Sequence, residues 1–401
     1  MANDTDERLA DSDAVVGPVA RIAPLFVAHA IGTANITLVV ALSPSIEESL
    51  GLGHAGFGLM VSAYYGATLA LALPAGWMTD RFGLRAMLIS ASFLLAIGLL
   101  VLASAGGLAA GALGLALCGC GYALINPATA RGVLMWFPRQ TRATAMGVKQ
   151  TGVPAGGVVA ALIAATGQGD WRTLAMGMAV VTMIAGAGYL KLRVAPQPAA
   201  SAVRFSDMRV LLRQPRLALF NVGACLYAAG QAAFFAYFVL FARDVMAASI
   251  ALASVCLAVA HVASATGRVC WGVISDRLVR NGRIVCIVAS GFAATVGVML
   301  LLTVPSFGTA ALVGTAALIG FTLGGYAALI QAAVVEAVEP QHAGAAMGYS
   351  MLLLSFGQVL GPAAFGIGVE WRGYAATWTA LAVLLVLGAG FFQASTRVVR
   401  R

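Results

Sequence analysis

The chain has 401 residues, of which 61% are hydrophobic and only 10% are charged, and its mean hydropathy is +0.92. Because a water-soluble domain carries about 25% charged residues, this composition excludes an ordinary soluble fold. The formal charge is +9, from 24 basic and 15 acidic residues, so the position of the basic residues must decide between a nucleic-acid surface and a membrane topology signal.

Apolar segments recur along the sequence from Arg21 almost to its end, and about 20 such residues suffice to cross the hydrocarbon core of a bilayer. We therefore predict an all-α integral membrane fold with twelve transmembrane helices in two pseudo-symmetric six-helix bundles. The predicted spans are 21–43, 55–76, 86–104, 108–136, 143–166 and 172–192 in the first half, and 217–241, 249–274, 284–304, 308–335, 343–366 and 374–393 in the second.

Polar segments flank and separate the two predicted bundles. Residues 1–20 are predicted to form a disordered cytoplasmic tail, because the first part of this segment is acidic and has no apolar run. Residues 193–216 are basic and contain prolines, which predicts a cytoplasmic linker between the bundles 21–192 and 217–393. Residues 394–401 are predicted to form a basic cytoplasmic tail.

The basic residues fall overwhelmingly on one side when the spans are threaded alternately through the membrane. With a cytoplasmic N-terminus, only Arg172, Arg243 and Arg372 face outward. This asymmetry follows the positive-inside rule. It predicts a multi-pass protein of the inner membrane with both termini in the cytoplasm, in contact with lipid and without a nucleic-acid partner.

A short polar motif follows the second predicted helix of each half. The first copy reads GWMTDRFGLR from Gly76, and the second reads GVISDR from Gly272. The first copy resembles the loop signature of the major facilitator superfamily, G-x-x-x-D-R-x-G-x-R, at every defined position: Gly76, Asp80, Arg81, Gly83 and Arg85. The second copy departs from it, because Val279 stands at the position that corresponds to Gly83.

Resemblance to that family implies a carrier whose two halves rock around a central pathway, without a cofactor. The carboxylate of Asp80 can pair with nearby arginines and lie against the positive N-terminus of the helix that begins near Ala343. That contact would latch the outward-open state. The matching residues Gly272, Asp276 and Arg277, and a loop-supporting Arg131, complete the predicted latch; the alternative is that these charges only set the topology.

Charged residues within the spans are rare, and each one suggests a function. Arg268 is the best candidate, since it lies about two helical turns inside the cytoplasmic end of the eighth predicted span. The segment Gly267–Gly272 resembles the corresponding helix of monocarboxylate and oxalate-type anion carriers, in which an arginine holds the substrate carboxylate. The alternative is an arginine that snorkels to the inner membrane surface.

Lys149, one of only two lysines in the sequence, and its neighbour Gln150 lie in a glycine-rich part of the fifth predicted helix. The family's antiporter signature in this helix is incomplete, because Val153 replaces a glycine. Neutral polar residues at depths where substrates bind complete the candidate site, with hydrogen bonding between helices as the alternative for each. They are His29, Asn35, Asn126, Gln231, His261, Tyr326 and Gln358.

These observations predict a secondary active transporter that moves a small organic anion, a carboxylate, by alternating access. We expect it to act as a monomer, and whether it couples to a proton or to a counter-substrate stays open. A drug or metabolite exporter of the same superfamily is the alternative, and a membrane sensor that does not transport is a weaker one.

The sequence has no nucleotide-binding loop and no paired catalytic acids, so we expect no enzymatic activity. We also expect no metal site, because Cys118 and Cys120 lack the neighbouring ligands that such a site needs.

Overall fold

The computed structural model describes residues 17–138, 140–167, 169–192, 214–278, 282–339 and 342–397. Most of the predicted tail 1–20, most of the predicted linker 193–216 and the last residues of the tail 394–401 lie outside these ranges. We call residues 17–192 the first half and residues 214–397 the second half.

The described residues are almost entirely helical, and they contain no β-strand. A short 3₁₀ helix, Tyr189–Lys191, follows α7. The helices are α1 Pro18–Ala41, α2 Ser43–Leu50, α3 His54–Ala103, α4 Leu108–Trp136, α5 Arg142–Gln150, α6 Gly152–Ala165, α7 Trp171–Gly188, α8 Pro215–Met246, α9 Ile250–Arg277, α10 Gly282–Leu301, α11 Val304–Leu323, α12 Ala327–Glu336 and α13 Ala343–Arg397.

Two of the helices are too long for a single membrane crossing. The helix α3 has 50 residues and α13 has 55, whereas one crossing takes about 20. Each is broken by a glycine in the left-handed region, Gly83 with φ of 80° and Gly373 with φ of 74°, a conformation that a side chain would strain. Each therefore supplies two spans, so the ten apolar helical segments of the described chain provide the twelve predicted crossings and confirm the fold class.

The alternating helices define two ends of the molecule. The linker end carries the Gly83 break and the ends of α7 and α8 that border residues 193–213. The far end carries the short helix α2 and the Gly373 break. Arg172, Arg243 and Arg372, the three residues predicted to face outward, all lie at the far end, as the threading requires.

Glycine pairs pack corresponding helices together in the two halves. In the first half, Cβ atoms added to Gly152 and Gly156 of α6 would lie 2.4 Å and 1.9 Å from backbone oxygens of α1. In the second half, Cβ atoms at Gly357 and Gly361 of α13 would lie 2.1 Å and 2.2 Å from backbone oxygens of α8. Small residues four positions apart allow this close contact of helices in a membrane, and their repetition shows the pseudo-symmetry of the fold.

We predict that Gly156→Ala destabilises the protein although alanine is the better helix former. The new Cβ must push α6 away from α1, at a cost of about 1–3 kcal/mol. Gly147→Ala is the matched control, since a Cβ at Gly147 meets nothing within 4 Å and alanine gains about 1 kcal/mol in helix propensity at either site. Thermal unfolding in detergent should show a lower midpoint for Gly156→Ala alone; equal midpoints for both variants would contradict the packing.

Candidate functional site

A cavity of about 290 Å³ lies between the two halves. In the first half it is lined by α1, the first part of α3, α4 and the junction of α5 with α6. In the second half it is lined by α8, α9, α12 and the first part of α13. A volume near 300 Å³ is at the small end of the range for pockets that bind small molecules.

Arg268 is the one charged residue in the described lining of this cavity. Its Nε is buried and has no hydrogen-bond partner in the described part of the chain. The phenols of Tyr122, from the first half, and Tyr326, from the second, are its electrostatic neighbours. Arg268 thus faces the cavity between the halves, and the described lining supplies no carboxylate to balance its charge.

Five further predicted residues share the cavity lining with Arg268. Gln231 donates from Nε2 to the backbone oxygen of Leu323 at 2.8 Å, which fixes the orientation of its amide. The ring of His261 stacks on Phe235 with 4.7 Å between centroids. The predicted residues in the lining are Gln150, Gln231, His261, Tyr326 and Gln358.

Lys149 and His29 are buried inside the first half, outside the described cavity lining, and Asn126 beside them is exposed. The Nζ of Lys149 donates to Asn126 Oδ1 at 3.2 Å and to Thr129 Oγ1 at 3.0 Å. The hydroxyl of Thr129 donates to the backbone oxygen of Ile125 at 2.8 Å, so its oxygen accepts from Lys149. The same oxygen lies 3.0 Å from His29 Nε2, which must be the donor because the single hydroxyl hydrogen is already used.

Asn35 also lies outside the cavity lining. Its Nδ2 donates to Thr182 Oγ1 at 3.1 Å and to the backbone oxygen of Ile31 at 2.8 Å. The first of these bonds joins α1 to α7 within the first half. The structure therefore places Asn35 in helix packing, which is the alternative role that the sequence left open.

The predicted latch residues lie at the linker end, and the polar contacts described for them stay within each half. Asp80 Oδ1 accepts from Arg131 Nη1 at 2.6 Å, and Asp276 forms an ion pair with Arg283. The guanidinium of Arg81 lies 5.9 Å from the ring centroids of Trp77 and Phe82. Of the remaining latch residues, Arg85 and Arg277 are exposed, Gly83 forms the α3 break, and Cβ atoms at Gly76 and Gly272 would meet nothing within 4 Å.

Polar contacts between the halves gather at the far end. Glu47 accepts from Arg243 Nη2 at 3.1 Å, and the backbone oxygen of His54 accepts from the hydroxyl of Tyr237 at 2.6 Å. Deeper in the molecule, Ser62 donates to the backbone oxygen of Val359 at 2.6 Å. The far end is therefore closed by hydrogen bonds and ion pairs that cross from one half to the other.

Sequence reasoning missed part of the cavity and the whole of this closure. Spacing is the signal that could have found the cavity residues, because residues four apart lie on one face of a helix: Thr33 and Thr37 on α1 both line the cavity. Tyr122 gave no such signal. Among the described residues, no group of three or more histidine, cysteine, aspartate or glutamate side chains is arranged to hold a metal ion.

Comparison with known proteins identifies the fold family. The sequence profile described as Major Facilitator Superfamily matches residues 25–313, which is more than half of the chain. The chain belongs to the Major Facilitator Superfamily. The repeated loop motif and the twelve crossings are thus those of a transport family, and the protein is a multi-pass membrane transporter rather than an enzyme.

Relatives within the superfamily are distant. An uncharacterized MFS-type transporter of Mycobacterium tuberculosis is 25% identical over 85% of this chain and 77% of its own. A probable sulfoacetate transporter of Cupriavidus necator, SauU, is 28% identical over 39% of this chain, and the match spans only 36% of that relative. A probable galactarate/D-glucarate transporter of Bacillus subtilis, GudP, is 29% identical over 30% of this chain and 28% of its own.

Solved structures share the fold at low sequence identity. The nucleoside transporter NupG superposes with a TM-score of 0.78 at 18% identity, covering 94% of this chain and 99% of that one. A bacterial homologue of the human lysosomal transporter Spinster superposes with a TM-score of 0.77 at 16% identity, covering 94% and 96%. These likenesses describe the fold alone.

We predict that Thr129→Val destabilises this superfamily member, because it leaves the buried Lys149 and His29 without their shared acceptor. The expected loss is about 1–2 kcal/mol of unfolding free energy. Thr322→Val is the matched control, since the buried Thr322 hydroxyl donates only to backbone oxygens of its own helix among the contacts described. Thermal unfolding in detergent compares the two, and an equal effect at both positions would contradict the network.

Proposed function

We propose that this protein is a secondary active transporter of the inner membrane that moves a small organic anion. The observation that carries the proposal is the charge of Arg268. A cation in a low-dielectric cavity is costly unless an anion or strong hydrogen bonds compensate it, and the described lining offers neutral groups only. A substrate carboxylate would supply the missing charge, in the two-point geometry that a guanidinium favours.

The rest of the lining indicates what the remainder of the substrate is like. Gln150, Gln231 and Gln358 and several threonine, serine and tyrosine residues line the cavity together with Arg268. One fixed charge among many neutral hydrogen-bonding groups favours one carboxylate attached to a polar body over a hydrocarbon chain. Two relatives that match part of this chain are named as a probable sulfoacetate transporter and a probable galactarate/D-glucarate transporter. Their names support an organic anion as the class of substrate.

Alternating access is the proposed transport mechanism. Arg268 and Tyr326 belong to the second half and Tyr122 to the first, so an anion held between them contacts both halves and can couple their rocking motion. In this scheme the closed far end opens as the linker end closes. Asp80 then leaves Arg131 for the N-terminus of α13, which is the predicted latch.

Export of a metabolite or drug is the second candidate. Tyr64, Tyr65, Tyr122, Phe235 and Tyr326 give the cavity an extensive aromatic surface. Such a surface suits flat apolar compounds as well as anions. The two candidates differ in whether the charge of Arg268 is needed for binding.

We predict that Arg268→Gln strongly weakens saturable anion uptake by proteoliposomes. The assay compares labelled monocarboxylates, dicarboxylates, a sulfonated carboxylate and neutral solutes, each with and without a pH gradient. Loss of a charge-assisted, bidentate interaction should raise KM at least about 10-fold, corresponding to about 1.4 kcal/mol. The variant Arg268→Lys keeps the charge but loses the two-point hydrogen bonding of the guanidinium, so its KM should lie between those of the wild type and Arg268→Gln.

Arg397→Gln is the matched control, because it removes one positive charge from an exposed position in the last turn of α13. It should transport like the wild type. A response to the pH gradient would distinguish proton coupling from exchange. Unchanged anion KM in a folded Arg268→Gln variant, or uptake of neutral solutes only, would overturn the anion proposal and favour the exporter.

A further inference from the structure

The ring of His54 lies between two carboxylates at the far end of the molecule. Its Nδ1 is 3.0 Å from Glu47 Oε1, and its Nε2 is 3.3 Å from Asp244 Oδ2. A neutral imidazole donates from one nitrogen and presents a lone pair at the other. Because both nitrogens face carboxylate oxygens, this geometry is favourable only when the ring carries two protons and a positive charge.

The neighbours of His54 make its charge important to the closure. Arg243 pairs with Glu47 at 3.1 Å and also with Asp244. Glu370 Oε1 accepts from the backbone N–H of Ala55 at 2.9 Å, next to His54 in sequence. The carboxylates of Glu47 and Asp244 are thus balanced by one arginine and one protonated histidine, and a neutral His54 leaves Arg243 to balance both.

Two tyrosines complete the surroundings of the ring. The hydroxyl of Tyr374 donates to Asp244 Oδ2 at 2.7 Å, and its ring lies 5.5 Å from that of His54. Tyr237 donates to the backbone oxygen of His54 and packs edge-on at 6.5 Å. These contacts hold the imidazole in place from α8 and α13, so a change in its charge acts on an ordered group.

We propose that His54 is a proton-binding site that locks the two halves together at the far end. Glu47 and His54 belong to the first half, and Arg243 and Asp244 belong to the second. With the proton bound, the His54–Asp244 contact attracts across the boundary. Without it, a lone pair faces a carboxylate and the acidic cluster repels itself.

The site exchanges protons with solvent at the far end rather than with the cavity. The side chains of His54 and Asp244 keep 21% and 23% exposure, and neither lies in the described lining of the cavity. By the predicted topology the far end faces outward, so the lock responds to the pH outside the cell. The closed state is stabilised at low pH, and that stabilisation is lost as pH rises through the deprotonation of the ring.

The test is a distance measurement between the halves that needs no substrate, so it stays separate from the fate of the anion proposal. In a background without native cysteines, spin labels at Ser104→Cys and Ser306→Cys report on exposed far-end positions of the first and second halves. Pulsed electron paramagnetic resonance on protein in lipid nanodiscs would follow the distances from about pH 5.5 to about pH 9.5, a range that spans histidine titration. We expect the ratio of far-end-open to far-end-closed protein to rise about tenfold, the size of one charge-assisted contact.

The variant His54→Gln should lose this response and show the larger open fraction throughout the range. His342→Gln is the matched control, since His342 lies at the linker end beside the start of α13, and it should respond like the wild type. If the distances between the labels in the wild-type protein do not change with pH, the proposal is overturned whether or not the variant folds. Opening at low pH, a response kept by folded His54→Gln, or a response lost equally in His342→Gln would also overturn it.

Discussion

The guanidinium of Arg268, held between the two halves without a carboxylate in the described cavity lining, is the interaction on which the account depends. A charge at membrane depth carries a desolvation cost that neighbouring tyrosine hydroxyls reduce only in part. A helix packed purely for stability would place an apolar residue there. An arginine that lacks its counter-charge is explained when a transient anion supplies it, and a site filled and emptied in each cycle is what a carrier requires.

The helices around this charge are positioned by close backbone packing within each half. Gly152 and Gly156 bring α6 against α1, and Gly357 and Gly361 bring α13 against α8. Such pairs leave each half rigid, while polar contacts join the halves mainly at the far end. The halves also pack closely on each other, where Gly58 of α3 lies against Pro362 of α13 and Gly157 of α6 lies against His261 of α9, so rocking must change helix packing as well as polar contacts.

Much of the fold could be predicted from the sequence because bilayer thickness limits helix length and the loop motif repeats. Part of the candidate site could be predicted as well, since His261, Ser264 and Arg268 follow the spacing of one helix face, and all three line the cavity. The orientation of the fifth span could not be predicted from the sequence. Lys149 and Gln150 are adjacent and therefore point about 100° apart, and the packing of Gly152 and Gly156 on α1 turns Gln150 toward the cavity and Lys149 into the first half. Composition cannot specify that rotation.

The far-end closure was beyond sequence reasoning for a different reason. Glu47 and His54 are seven residues apart, but Asp244 and Glu370 are distant from them and from each other in the sequence, and each one alone resembles an ordinary charge at the end of a span. Only the packing of α2, α3, α8 and α13 brings them together. A cluster assembled from such distant positions has no local pattern that could reveal it.

The most direct test of the central claim is a structure of the protein determined with a transported anion bound. The account predicts density for the carboxylate against the guanidinium of Arg268, within hydrogen-bonding distance of Tyr122 or Tyr326, in the cavity between the halves. Density for the anion away from Arg268, or a side-chain carboxylate of the protein paired with that guanidinium, would contradict it.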